Sequence, residues 1–209
     1  LNGVTRLAGT AHVNVRRQQT TTVFSYAPSY AQSGDAISIS PDVPLDAGAV
    51  TTEGLPGAFA DTAPDRWGRS LIAKRLRAAR SEGQAPFIGE LDYLLGVSDT
   101  TRQGALRFTK ADDPDFLAAG LEVPKPIRLP ELLRAADLVT RDVATVDELA
   151  AVKALLDAGS GSLGGARPKA LVSDGDRLLI AKFPHAHDEW DVMAWEMTAL
   201  DLAEACGLP

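Results

Sequence analysis

At 209 residues, with 45% hydrophobic and 23% charged side chains, the chain is long enough to bury a core and too apolar to be disordered throughout. Its net charge of −7 argues against non-specific nucleic-acid binding by the whole chain, and one cysteine excludes an internal disulfide or a cysteine-based metal cluster. No apolar run is long enough to span a bilayer and no basic-then-apolar leader opens the chain, so a cytoplasmic protein is expected.

The charge is unevenly placed. Residues 1–110 carry net +2 and residues 111–209 net −9, which points to two different modules. In the first fifty residues, alternating or β-branched stretches at 11–15, 21–26 and 36–40 predict short strands, punctuated by Pro28, Gly34-Asp35 and Pro41. A small antiparallel sheet with one wet face follows from that pattern.

Asp61 to Arg69 carries a capping residue, an early proline and an early acid, and the next stretch predicts a helix over 70–80. Leu71, Ile72 and Leu76 are its core candidates. Arg69, Lys74, Arg75, Arg77 and Arg80 give it a basic face, which is more often a solvated surface than a nucleic-acid reader. A helical turn at 90–95 and a closing strand at 104–108 complete the first module. Pro114, Pro124, Pro126 and Pro130, with Asp112 and Asp113, then mark a connection over 111–130.

Helices are predicted over 132–139 and 146–158, the second starting at Thr145 and stopped by Gly159. Strands at 169–173 and 177–183 form a hairpin about Asp174-Gly175-Asp176. A last helix over 188–205 places Val192, Trp195, Ala199 and Leu202 at helical spacing, with Gly207 as its stop.

Between the helix and the hairpin, residues 159–164 read Gly-Ser-Gly-Ser-Leu-Gly and match G-x-G-x-x-G. A dinucleotide fold needs a strand before those glycines and a helix after them, and here the order is reversed. No Gly-Lys-Ser/Thr follows, so the P-loop is excluded too. A glycine loop feeding a β-hairpin is instead the arrangement of a kinase small lobe, where backbone N–H groups cover ATP phosphates. Lys182 closes the second strand, as the phosphate-binding lysine of that lobe does, and Glu196 on the following helix is spaced to pair with it. Singly, either residue reads as ordinary surface; together with the loop they read as an ATP site.

Two other constellations have simpler roles. His185, His187, Asp188 and Glu189 have metal-ligand chemistry but no fixed third ligand, and Cys206 at an apolar helix end reads as core rather than as a nucleophile.

The stretches Gly161 to Ala170, Ile180-Ala181-Lys182-Phe183-Pro184 and Trp195-Glu196 through Leu208 resemble the HipA family of serine/threonine kinase toxins. So do Phe24 to Tyr30, Pro64-Asp65-Arg66-Trp67-Gly68-Arg69 and Gly104 to Phe108, which are similar to the family's N-terminal subdomain. The resemblance implies a type II toxin-antitoxin kinase that uses Mg-ATP. Its target would be a translation-related protein such as an aminoacyl-tRNA synthetase, and it would be restrained by a DNA-binding antitoxin of the HipB type, with DNA reached only through that partner and no membrane involved. By position, Ser162 matches the family's autophosphorylated loop serine, Lys182 the ATP lysine and Glu196 its helix partner. Ser162, Leu163, Gly164, Gly165 and Ala166 would line the nucleotide. A phosphoserine at 162 would repel ATP phosphates and act as an off-switch.

The expected fold is therefore α+β: a β-rich subdomain over 1–110, a proline-rich connection over 111–130, and helices plus a kinase-like small lobe over 131–209. The residues for proton transfer and magnesium follow the last helix in the family, so a truncated, inactive N-terminal part with no catalytic residue of its own is expected. The alternative is a non-catalytic module that binds an antitoxin or other partner and whose glycine loop is structural.

Overall fold

In a computed structural model, the structure describes residues 4–79, 87–111, 113, 115–117, 128–141 and 145–208. The protein is α+β, and it divides into two compact units: Leu1–Pro64 with Glu82–Ala119, and Asp65–Ser81 with Gly120–Pro209.

The first unit is built on strands β1 (Gly9–Arg16), β2 (Gln19–Tyr26) and β3 (Ala49–Glu53), antiparallel in the order β1-β2-β3. A two-residue turn at Arg17-Gln18, both with positive φ, sets Arg16 opposite Gln19 and so puts Ala11 and Val13 on the face that carries Phe24 and Val50. Phe24, Val43, Leu55, Phe59 and Leu94 form the core. Two one-turn helices, α1 (Pro28–Ala31) and α2 (Gly57–Ala60), lie either side of β3 in the chain.

The stretch at 36–40 is not a strand, contrary to its alternating pattern; the third strand is β3. Tyrosine side chains take the place of a partner strand there. Tyr26 Oη accepts the Ile39 N–H at 2.8 Å and donates to Val43 O at 2.7 Å, while Tyr30 Oη donates to Ile37 O at 2.9 Å. With its backbone groups satisfied in this way, the segment gains nothing from a ladder.

Helix α3 (Arg66–Ala78) belongs to the second unit, whereas α4 (Glu90–Gly96) and a 3-10 turn at Asp99–Thr101 belong to the first. The closing strand expected at 104–108 does not form. Gly104 turns the chain at φ +85°, and the segment is held by side chains instead: Arg107 Nε donates to Asp99 Oδ2 at 2.9 Å and Phe108 packs edge-on against Phe59. The proline-rich connection at 111–130 lies largely outside the described residues, as does Arg80 at the end of the basic stretch.

The second unit contains α3, α5 (Leu129–Thr140), α6 (Val146–Asp157), the hairpin β4 (Lys169–Asp174) and β5 (Arg177–Lys182), and α7 (Val192–Ala205). Helices α5 and α6 pack together, and α6 packs on α3. The fully buried side chains Leu71, Ile72, Val152 and Leu155 lie at that junction. Helix α6 starts where its sequence says it should, with the Thr145 hydroxyl accepting the Glu148 N–H at 3.1 Å.

Two expectations for the last helix are corrected. Among the described residues α7 buries none of its side chains: Trp195 is 68% exposed, and Leu202 is exposed as well. Cys206 is likewise exposed rather than part of a core. The helical spacing of apolar residues gave α7 its helix but not a covering surface.

Candidate phosphate-binding site

The glycine stretch begins as the end of α6. Gly159, at φ +70°, donates to Leu156 O at 3.0 Å while Ser160 N–H donates to Leu155 O at 3.0 Å, the paired bonds of a Schellman stop. Gly161 is closely packed, since a Cβ there would come within 3.2 Å of the Leu156 side chain. Two of the three glycines in the G-x-G-x-x-G match are therefore structural. The Ser160 hydroxyl, fully buried, donates to the Lys169 carbonyl.

The stretch then changes character. Ser162 and Leu163 are buried, Ser162 being 8% exposed with its N–H on Gly159 O at 3.1 Å, whereas Gly164, Gly165 and Ala166 are exposed. Any modification of Ser162 would require the loop to move first. The open part of the loop is 164–166, where backbone N–H groups can meet an anion.

The hairpin brings the lysine and the glutamate together. Lys182 Nζ forms an ion pair with the Glu196 carboxylate, at side-chain exposures of 46% and 33%. The two-residue turn at Gly175-Asp176 fixes Asp174 opposite Arg177, and that register places Lys169 directly opposite Lys182.

Lys169 is the residue the sequence reading missed. It is 8% exposed, and its ammonium lies 3.1 Å from where a Cβ on Gly165 would sit, so it is directly under the open loop. Its ammonium makes no hydrogen bond among the described residues. Burial pulls its pKa down, and the charges of Lys182 and Arg167 add to that, against the opposing pull of Asp65 and Glu196. Like charges directly opposite on a hairpin are destabilising, and a bound anion would relieve them. The signal was in the sequence: counting back from the Gly175-Asp176 turn pairs the two lysines.

Arg167 is committed elsewhere, to an ion pair with Asp188, whose carboxylate also accepts the His185 N–H at 2.9 Å. That hydrogen bond, with Arg167, holds the Asp188 carboxyl below its usual range. His185 and His187 stack edge to face, 5.3 Å between ring centres, and no group of three metal-ligating side chains occurs among the described residues.

The start of α3 reaches the same loop. Asp65 Oδ2 accepts the Gly165 N–H at 2.7 Å, Trp67 N–H donates to Gly165 O at 3.2 Å, and Trp67 Nε1 donates to Lys169 O at 3.2 Å. Residues 5–87, which include these two side chains, match the family model described as the HipA N-terminal domain. That segment is similar to the HipA N-terminal domain. No curated protein and no solved structure matches the chain. The matched segment is not one packing unit: α3 lies within the matched residues yet clusters with the glycine loop and hairpin. No helix among the described residues is long and apolar enough to cross a membrane.

Proposed function

We propose that this HipA-like protein is a cytoplasmic serine/threonine kinase of the toxin-antitoxin class and that residues 159–196 hold the phosphates of ATP. The observation that carries the reading is the Lys182–Glu196 ion pair at the end of β5, next to a glycine loop whose 164–166 segment is open. A glutamate that fixes a lysine head group pre-orients the ammonium for an α- or β-phosphate. Lys169 adds a second positive charge beneath the loop, and the exposed residues Gly164 and Ala166 would offer backbone N–H groups as neutral donors.

These residues bind and orient; none of them is placed to deprotonate a hydroxyl. Magnesium, when bound with the nucleotide, would neutralise phosphate charge, and no described cluster of carboxylates is offered to it. A translation-related protein as substrate, a DNA-binding antitoxin of the HipB type as partner, and Ser162 as a self-modification site complete the proposal.

The test is Lys182→Ala in the full-length protein, read by phosphopeptide mass spectrometry and by growth inhibition on expression. Phosphorylation of Ser162 and of any target should fall by about a hundredfold or more, and growth should be restored. Toxicity retained in Lys182→Ala would favour the partner-binding alternative.

A further inference from the structure

Asp65 stands at the N-cap of α3, where an aspartate ordinarily accepts a hydrogen bond from the first turn of its own helix. It makes no such bond. The orphan N–H of Trp67 in that first turn is satisfied instead by Gly165 O, and the Asp65 carboxylate turns outward to the Gly165 N–H at 2.7 Å. The same carboxylate oxygen lies 3.3 Å from where a Cβ on Gly164 would sit, so it lies directly against the backbone of the open loop. Gly165 is at φ +92°, a left-handed conformation that glycine adopts freely, and a Cβ there would press on the Lys169 ammonium at 3.1 Å. Asp65 is also the stronger of the two negative charges acting on the Lys169 ammonium, ahead of Glu196.

An anion therefore already occupies the cradle, and it comes from the chain itself. We propose that Asp65 is a built-in competitor for phosphate, which sets the affinity of the glycine loop by holding the Gly165 N–H until a ligand phosphate displaces it. The inference rests on the phosphate reading of the loop and adds its regulation. Both the competitor and the phosphate use the same donor and the same nearby cation, and both are negative, so the two exclude each other. When the carboxylate leaves, Gly165 N–H joins those of Gly164 and Ala166 as a donor, and Lys169 loses a compensating charge that the phosphate replaces. Trp67, through its bonds to Gly165 O and Lys169 O, keeps the loop in register while Asp65 lets go.

The experiment measures ATP binding by calorimetry for the full-length protein and for Asp65→Asn and Asp65→Ala. Asparagine keeps an acceptor for the Gly165 N–H without the charge; alanine removes both. Both variants should bind ATP about tenfold more tightly than the parent, and the gain should shrink at high salt. Far-ultraviolet circular dichroism matching the parent shows that a variant is folded. If the parent binds ATP and the folded asparagine variant binds it equally or more weakly, Asp65 is not a competitor, and the phosphate reading survives. If no form binds ATP, the phosphate reading fails and this inference with it.

Discussion

Lys169 carries opposite consequences for folding and for binding. Its ammonium is buried opposite Lys182, and its pKa is lowered first by burial. Below the lowered pKa both folded and unfolded chains hold the proton, and the burial penalty is present in full. Between that value and the ordinary 10.5 the unfolded chain holds more protons, so stability rises with pH across the window. Lys169→Met should therefore raise the melting temperature at neutral pH. The gap between variant and parent, followed by calorimetry, should close as pH climbs toward 10.5. The same substitution should weaken ATP binding, since a buried charge kept at a cost to stability is typical of a working site. Better stability with unaltered ATP affinity would show that Lys169 has no part in binding.

At the scale of elements, α6 and α7 have similar lengths and both carry regularly spaced apolar residues, yet they differ in what surrounds them. Helix α6 buries Ala151, Val152, Leu155 and Leu156; α7 buries nothing among the described residues. Leu155→Ala should cost about 2–5 kcal/mol, because it deletes a fully buried side chain from a packed junction. Trp195→Ala should change stability by no more than about 0.5 kcal/mol despite the larger side chain removed. Denaturant titration of both variants checks the contrast, and equal losses would mean that α7 is packed. The ion pair between Lys74 on α3 and Glu148 on α6, at 2.6 Å, belongs to the same junction and uses one of the residues read from sequence as a solvated basic face.

At the scale of the whole molecule, the limits of the matched family segment and the limits of packing do not coincide. The segment 5–87 contains α3, while the residues that cover α3 come from 146–170: Glu148 meets Lys74, Gly161 lies against Ile72, and Lys169 O takes the Trp67 indole. A fragment of residues 1–87 should thus leave Trp67 open to water. Trp67 is its only tryptophan, so its fluorescence should be that of a solvated indole and should not shift on unfolding. A blue-shifted emission that moves to the red in denaturant would show that the fragment buries α3 by other means.

Short-range chemistry made much of this legible. The Thr145 cap, the Gly159 stop and the Gly175-Asp176 turn lie next to the elements they begin or end, and Lys182 and Glu196 follow from a hairpin and a helix in succession. Tertiary structure decided the rest. Residues 36–40 alternate like a strand but bond to two tyrosine hydroxyls, and Trp195 and Leu202 repeat like a core face but meet solvent. Asp65 looks like a helix cap and instead holds a loop a hundred residues away. Periodicity and turn residues specify which backbone conformation a segment prefers, because those preferences act within a few residues. Which surface covers a helix face, and which distant N–H a carboxylate takes, depends on how the chain packs, and no local spacing records that.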